Sequence, residues 1–168
     1  MKGIKLSQGY VAIVDDYDYE RVATHKWFAK VEVRADGTVR VYAMRTVRSL
    51  RGGRTTKFLH RFILDTPTGM HTDHINGNGL DNRRSNLRVC TNAENRRNQR
   101  SQTGRSSKFK GVNWHKMAAK WRAQVKVDGK TKHLGYFASE IDAARAYDTA
   151  ALKYFGEFAL LNDVCEAC

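Results

Sequence analysis

The 168-residue sequence contains three cysteines, one proline and no run of 18 apolar residues. A small, odd number of cysteines does not build a disulfide framework. Without a long apolar run, no membrane-spanning helix is expected. The first residues also lack the apolar stretch of a signal peptide, so we expect a cytoplasmic protein rather than a secreted one.

Acidic residues are scarce, because 17 Asp and Glu stand against 30 Lys and Arg, giving a formal net charge of +13. The excess is concentrated in residues 96–133, which hold 12 basic residues and one acid, Asp128. Residues 134–168, in contrast, hold two basic residues and six acids. A basic block that also carries aromatic residues in strand-like alternation favours a nucleic-acid partner over a solvated linker.

The pattern divides the chain into two domains. Residues 96–107 contain no apolar side chain and therefore predict a basic linker. Before it, residues 1–95 show short strand patterns, a hairpin signal at Asp36-Gly37 and helical spacing over residues 57–64. No role is predicted for residues 1–56.

After the linker, the pattern predicts a second domain over residues 108–162 and a short tail over residues 163–168. Three strands are expected at residues 108–112, 120–127 and 131–137, with a tight turn at Asp128-Gly129. A helix is expected from the cap at Ser139 to Tyr154. The predicted fold class is α+β, with a β-rich N-terminal region followed by a three-stranded antiparallel sheet packed on one helix.

The densest polar chemistry lies between residues 71 and 95. Asp73 and His74 end a predicted strand, a turn-rich loop follows, and Thr91-x-x-Glu94 predicts a capping box with a helix from residue 92. This order brings Asp73 towards Asn95, so the two side chains could supply oxygen ligands to one Mg²⁺ ion. His74 points away from Asp73 in an extended strand, which leaves it able to act as a general base on water.

This stretch resembles the HNH endonucleases of the ββα-metal fold, in the subgroup of phage and homing endonucleases. The resemblance covers about residues 57–97 and rests on Asp73-His74, Asn86 and Asn95. Many members of the family have a histidine at the position of Asn95, so the motif reads H-N-N here. It implies that His74 is the general base and that Asp73 and Asn95 bind one Mg²⁺ or Mn²⁺ ion. It also implies that Asn86 pins the loop and orients the histidine.

Simpler interpretations stand beside this one. Asp, His, Asn and Gly also make ordinary surface turns for local reasons. His60, in a Leu59-His60-Arg61 element that resembles one upstream of the HNH motif, is expected to be structural, and its place near the site remains open. The same question is open for His71, two residues before Asp73 on the same strand face.

In the second domain, alternation places Arg122, Gln124 and Lys126 on one strand face and the apolar residues from Trp121 to Val127 on the other. The polar face could enter a major groove, and the simpler alternative is a solvated face. Trp114 could stack on DNA or pack within the domain.

Residues 108–162 resemble the Apetala-two/ethylene-response-factor (ERF) DNA-binding domain. The resemblance rests on Gly111-Val112, the alternation around Ala123, the Leu134-Gly135-Tyr136-Phe137 run, the alanine-rich helix and Asn162. It implies that the sheet lies in the major groove of DNA. The residues that would contact DNA are Lys110, Asn113, Arg122, Gln124, Lys126, Lys132 and His133.

The sequence therefore predicts a site-directed, homing-type DNA endonuclease that hydrolyses phosphodiester bonds. We expect a phage-type enzyme that acts on double-stranded DNA in a bacterial cytoplasm, as a monomer that could nick one strand. The alternative is a non-catalytic transcriptional regulator that uses the ERF-like domain. The Cys165-x-x-Cys168 pair is a single pair, so zinc binding at the tail is not expected.

Overall fold

The computed structural model describes residues 1–34, 37–49, 52–98, 106–162 and 164. These residues divide into two compact units, Met1–Asn95 and Arg96–Cys168. The predicted mixture of helices and small antiparallel sheets is confirmed, with four α-helices and ten strands among the described residues. No helix in those ranges is both long and apolar enough to cross a membrane.

The first unit contains three small antiparallel sheets. The strands are β1 (Lys2–Lys5), β2 (Val11–Val14), β3 (Phe28–Val33), β4 (Val39–Arg48), β5 (Arg54–Phe58), β6 (His71–His74) and β7 (Leu87–Cys90). The helices are α1 (Asp16–Ala23), α2 (Leu59–Ile63) and α3 (Asn92–Arg97), the last of which continues into the second unit. β1 pairs with β2, β4 lies between β3 and β5, and β6 pairs with β7.

One core joins the N-terminal residues to the predicted HNH segment. It contains Val14 of β2, Val22 of α1, Trp27, Leu59 of α2 and Leu87 of β7. Because these apolar side chains share one core, residues 1–56 are part of the same folded body as the HNH segment. The sequence pattern alone gives those residues no role.

Two element boundaries in this unit differ from the prediction. The helix expected over residues 57–64 begins only at Leu59, because Lys57 and Phe58 pair with Arg45 and Met44 in the β4–β5 ladder. The arginines and glycines of residues 48–56 predict a basic loop before this helix, but β5 begins within that stretch at Arg54. The β3–β4 pair is confirmed, and Ala35 and Asp36 of its predicted turn lie outside the described residues.

The second unit is a three-stranded antiparallel sheet packed on one helix. The strands are β8 (Val112–His115), β9 (Lys120–Val127) and β10 (Lys130–Phe137), with β9 in the centre, and the helix is α4 (Glu140–Phe155). Ala123 and Val125 of β9 are buried against the alanine-rich face of α4. The predicted cap is confirmed, because the Ser139 Oγ accepts hydrogen bonds from the backbone N–H groups of Ile141 and Asp142.

The strand predicted at residues 108–112 is wrong, because β8 begins at Val112. Gly111 has φ +77°, and a Cβ there would lie 1.9 Å from the Tyr147 ring, so the chain turns at this point under the helix. Asn162 stabilises the turn, since its Oδ1 accepts from the Lys110 N–H and its Nδ2 donates to the Lys110 carbonyl. By contrast, the predicted turn at Asp128-Gly129 is confirmed, with φ of 48° and 79°.

The predicted linker is only partly described. Arg96 and Arg97, its first two residues, lie in α3. Residues 99–105 lie outside the described residues, as do Cys165 and Cys168 of the tail.

Candidate active site and nucleic-acid interface

The β6–β7 strand pair positions the first two candidate residues. Asp73 lies opposite Arg88 and His74 lies opposite Leu87 in an antiparallel ladder. Consecutive residues of a strand point to opposite faces, so the two side chains diverge as the sequence predicts. Both are buried, with 8% of Asp73 and 6% of His74 exposed.

His74 is held by a residue that the sequence analysis did not single out. Its Nε2 lies 3.3 Å from the Oδ1 of Asn82, and Asn82 is fully buried. The Asn82 Nδ2 donates to the Gly79 carbonyl, which fixes the amide with its oxygen towards the histidine. An amide oxygen only accepts, so Nε2 carries the proton and the lone pair lies on Nδ1.

The electrostatics favour a neutral His74. Burial lowers its pKa below the ordinary 6.5, while Asn82, Asp73 and Asp81 act in the opposite direction. An imidazole that is neutral at pH 7 can accept a proton from water, which is the requirement for a general base.

An aromatic cluster covers the buried side of His74. The rings of His60 and His74 meet edge to face with centroids 4.9 Å apart, Tyr42 lies 6.1 Å from both, and Phe58 stacks on His60. Burial, with smaller effects of His74 and Arg61, lowers the pKa of His60 to about 3, so His60 is neutral. Within the described part of the chain, His60 Nδ1 has no hydrogen-bond partner. His60 therefore packs behind His74.

Asn86 fastens the loop between β6 and β7. Its Oδ1 accepts from the Asn76 N–H at 3.0 Å, and its Nδ2 donates to the Asp81 carbonyl at 2.8 Å. The direct hydrogen bond to His74 comes from Asn82 instead. Asn86 thus shapes the loop that carries Asn82.

Asp73 forms a buried ion pair that the sequence did not predict. The Nε and Nη2 atoms of Arg88 donate to its Oδ2 at 3.1 and 2.8 Å, and the two side chains are about one-tenth exposed. Both groups belong to directly opposed positions of the β6–β7 ladder, which explains the contact. Arg88 fixes the carboxylate at the end of β6.

His71 lies on the same strand face as Asp73 and is half-buried opposite Cys90.

Asn95 lies on α3, which starts where predicted. The capping box is reciprocal, since the Glu94 N–H donates to Thr91 Oγ1 and the Thr91 N–H donates to Glu94 Oε2. Among the described residues, no cluster of three or more His, Cys, Asp or Glu side chains could hold a metal ion. The predicted ligands, Asp73 and Asn95, are only two residues and supply one carboxylate and one amide oxygen donor. Both donors are hard ligands of the kind that Mg²⁺ accepts.

Backbone hydrogen bonds and an ion pair join the N-terminal elements to the loop between β6 and β7. The Ile13 N–H donates to the Leu80 carbonyl and the Asn82 N–H donates to the Ile13 carbonyl, each at 2.8 Å. Arg84 donates through Nε and Nη2 to the buried carboxylate of Asp18 at 2.7 and 2.9 Å. Residues 1–23 therefore fix the backbone at Asn82, which in turn contacts the candidate base.

In the second unit, five of the seven predicted DNA-contacting residues lie on one sheet face. Strand register places Asn113 opposite Arg122 and His133 opposite Gln124, with Lys126 two residues further along β9. Arg122 Nε donates to the Asn113 Oδ1 at 3.3 Å. This face points away from the apolar residues that pack on α4.

Lys132 and Lys110 lie elsewhere. Lys132 is opposite Val125, on the helix side of the sheet, where its ammonium lies 4.6 Å from the Tyr154 ring centroid. Lys110 precedes β8, and its ammonium donates to the Arg97 carbonyl. Burial lowers the pKa of Lys110 to about 8. The edge of the Trp114 ring meets Trp121, with centroids 5.1 Å apart, and 39% of Trp114 is exposed.

Comparisons with known proteins find both HNH endonucleases and APETALA2-like proteins similar to parts of this chain. The HNH endonuclease family profile matches residues 65–97. The chain carries an HNH endonuclease motif. An uncharacterized HNH endonuclease of Acanthamoeba polyphaga mimivirus is 35% identical over 113 residues, which cover 63% of this chain and 57% of the relative.

Two further relatives each match part of this chain. Protein 3.8 of Escherichia phage T7 is 38% identical over 64 residues, covering 38% of this chain and 53% of that protein. APETALA2-like protein 2 of Oryza sativa subsp. indica is 44% identical over 59 residues, covering 34% of this chain and 13% of that protein. No solved structure matches at a significant level.

The predicted resemblance to the HNH endonucleases and to the APETALA2-like proteins is thereby confirmed. The chain spans little more than half the length of the mimivirus and T7 relatives, at 57% and 53%. The HNH motif contains the candidate set, Asp73, His74, Asn86 and Asn95, together with Asn82 and Arg88. The one sequence signal for Asn82 is its place in the Asp81-Asn82-Arg83 turn, which by itself indicates only a turn.

Asn82 gives the first testable prediction. Replacing Asn82 with alanine should lower the cleavage rate, because His74 loses the acceptor that fixes its proton on Nε2. The loss should be about 10-fold to 100-fold, the cost of one hydrogen bond of about 1.5–3 kcal/mol that orients the base. Initial rates of plasmid nicking measure it, with Asn92→Ala, an exposed residue of α3, as the control. Equal rates for Asn82→Ala and the wild type would exclude this role.

Proposed function

We propose that this chain is a site-directed DNA endonuclease of the homing type. In it, an HNH unit with the ββα-metal arrangement cuts DNA and an ERF-like unit recognises it. The observation that supports this best is the combination of a buried, neutral His74 with Asp73 beside it on β6, inside the HNH motif. A strand pair that leads into a helix, as β6, β7 and α3 do, is the order of elements in that arrangement.

The reaction is hydrolysis of a phosphodiester. His74 accepts a proton from water at Nδ1, and the resulting hydroxide oxygen bonds to phosphorus as the bond to the 3′ oxygen breaks. The 3′ oxygen leaves with the electron pair of that bond and takes a proton from solvent water. The ends expected from the HNH resemblance are a 5′-phosphate and a 3′-hydroxyl. Asn82 keeps the proton of the neutral ring on Nε2, so the base is ready before DNA binds.

The donor chemistry of two residues suits one divalent cation. Asp73 and Asn95 would hold it, and their oxygen donors suit Mg²⁺ or Mn²⁺. When bound, such an ion stabilises negative charge on the phosphate and on the leaving oxygen. Arg88 keeps the Asp73 carboxylate in one orientation at the end of β6, and Asn86 holds the neighbouring loop closed.

The ERF-like unit supplies a polar sheet face for reading base edges. Arg122 and Gln124 can each make bidentate hydrogen bonds in the major groove, to guanine and adenine respectively. Lys126 and the rest of the basic block add phosphate attraction. With one HNH motif per chain, a monomer that nicks one strand is the simplest arrangement, and double-stranded DNA is its partner.

Incubation of the full chain with supercoiled plasmid, with and without Mg²⁺, tests the proposal. An endonuclease converts the plasmid to the open-circular form only with the metal. A non-catalytic regulator that uses the ERF-like unit would bind the plasmid and leave it supercoiled in both conditions. Mapping the new 5′ end then reports whether cleavage is site-directed.

A second prediction concerns recognition. Replacing Arg122 and Gln124 with alanine should reduce the preference for the specific site over random DNA by about 1–3 kcal/mol for each base that is no longer read. Competition binding in EDTA against random duplex measures this. Lys132→Ala is the matched control, because Lys132 lies on the other side of the same sheet. Equal reductions of preference in both variants would contradict base reading by this face.

A further inference from the structure

The hairpin of β4 and β5 lies in a stretch of the sequence without acids. Residues 37–64 contain seven Lys and Arg and no Asp or Glu. Six of the seven are described, and five of them lie on the two strands: Arg40, Arg45, Arg48, Arg54 and Lys57. This charge lies outside the ERF-like unit and is not used in the chemistry at His74.

The register places like charges directly opposite each other. Arg48 pairs with Arg54, and Arg45 pairs with Lys57. Such cross-strand pairs of the same sign destabilise a sheet. On the other side of β4 the charges are compensated, because Arg40 lies opposite Glu32 and Lys30 forms an ion pair with Glu32 at 2.7 Å. Within the described ranges, no carboxylate forms a salt bridge with Arg48 or Arg54.

The Arg48–Arg54 pair lies on the strand face that leads to the catalytic histidine. Side chains two apart share a face, so Tyr42, Met44, Thr46 and Arg48 line it on β4, and Phe58, Thr56 and Arg54 line it on β5. At the other end of this face, Tyr42 contacts His60 and His74, and Phe58 stacks on His60. Thr46, Thr56, Arg48 and Arg54 are exposed.

The length of this face matches a short stretch of duplex. Six residues separate Tyr42 from Arg48 on β4, which is about 20 Å at roughly 3.4 Å per residue. The same length spans about six base pairs, at about 3.4 Å per base pair along one DNA strand. Exposed Thr hydroxyls and Arg guanidinium groups are common donors to phosphate oxygens.

We propose that the outer half of this face, formed by Thr46, Thr56, Arg48 and Arg54, binds the DNA sugar–phosphate backbone about six base pairs from the cut. The inference rests on the proposed function and adds a second, sequence-independent contact within the catalytic unit itself. The uncompensated arginine pair is then explained, because phosphate supplies the missing negative charge when DNA is bound.

The test is binding of the full chain to a random 30-base-pair duplex in EDTA, across a salt series. For R48Q/R54Q, the slope of log affinity against log salt should flatten by about 1.8, at about 0.9 for each phosphate that is no longer neutralised. At 0.1 M salt the affinity should fall about 60-fold by the same relation. The matched control is K2Q/K5Q, which removes two exposed positive charges from β1 of the same unit.

A melting curve separates binding from folding. Removing two opposed like charges should leave the melting temperature of R48Q/R54Q unchanged or raised. The single variant R54Q, which should show about half of the slope change, is the second arm if the double variant does not fold. A slope change in R48Q/R54Q no larger than in K2Q/K5Q would overturn the proposal. A loss of affinity for an RNA duplex without a loss of affinity for DNA would overturn it as well.

The position of the contact is tested at a mapped cut site. Hydroxyl-radical footprinting should show a protected backbone segment about six base pairs from the nick, present with the wild type and absent with R48Q/R54Q. Protection that persists in the variant would overturn the assignment. Failure of the proposed function is a different result, namely no Mg²⁺-dependent nicking by the wild type.

Discussion

Replacing His74 with alanine should lower the rate of DNA nicking by about 10²–10⁴-fold, which is what a positioned general base contributes. DNA affinity should stay close to the wild-type value, because a neutral imidazole adds little to phosphate attraction. Initial nicking rates at saturating Mg²⁺, with duplex binding measured separately in EDTA, check both statements. Near-normal cleavage by His74→Ala would remove His74 from this role.

A histidine outside the site provides the control for this variant. His25 packs against Trp27 and Phe62 in the same unit, and its substitution by alanine should leave the chemical step intact. The pH profile gives a second readout. Burial lowers the pKa of His74 below 6.5, so the deprotonated base predominates at neutral pH. The wild-type rate should therefore stay level down to about pH 6.5 and fall only as the ring becomes protonated below it.

Loss of either proposed metal ligand should have a comparably large effect. Asp73→Asn and Asn95→Ala should each lose about 10³-fold in metal-dependent nicking, since a bound cation supplies several kcal/mol of charge stabilisation. EDTA should stop the wild type, and Mg²⁺ or Mn²⁺ should restore it. Asparagine keeps the shape of Asp73 but removes the counter-charge of the buried Arg88. A melting curve measured beside the nicking rate therefore separates loss of the metal from loss of stability.

The control for the ligand variants is Asp16→Ala. Asp16 is an exposed carboxylate of the same unit whose one described ion pair joins it to the N-terminal amine at 2.9 Å. Its loss should leave both the nicking rate and the Mg²⁺ requirement as they are in the wild type. Cleavage by the wild type that survives exhaustive chelation would contradict a mechanism that uses one divalent cation.

Local signals explain why the segment around the HNH motif was predictable. Thr91 and Glu94 specify the start of α3 through their own hydrogen bonds, and Ser139 does the same for α4. β5 was missed because its sequence, Arg-Thr-Thr-Lys-Phe, has no apolar alternation. It forms through pairing with β4, and a partner strand is not visible in a local pattern.

In the site, too, local patterns predict some residues and long-range contacts place the others. Asp73, His74 and Asn86 are adjacent to recognisable strand and turn patterns, whereas the importance of Asn82 depends on Ile13, 69 residues earlier in the chain. Arg88 was missed because its partner is set by strand register, which the sequence does not specify over so short a pair. At Gly111, packing of the Tyr147 ring decided the turn in place of the expected strand.

The backbone bridge from Ile13 to Leu80 and Asn82 also limits how the HNH motif can be transplanted. A segment moved into another protein keeps its geometry only if the contacts that support it move with it. A transfer limited to the codons for residues 65–97 would leave behind the strand that holds Asn82. The smallest segment that preserves the histidine geometry therefore begins upstream of Ile13. Because backbone groups make the bridge, any residue except proline at position 13 can supply it.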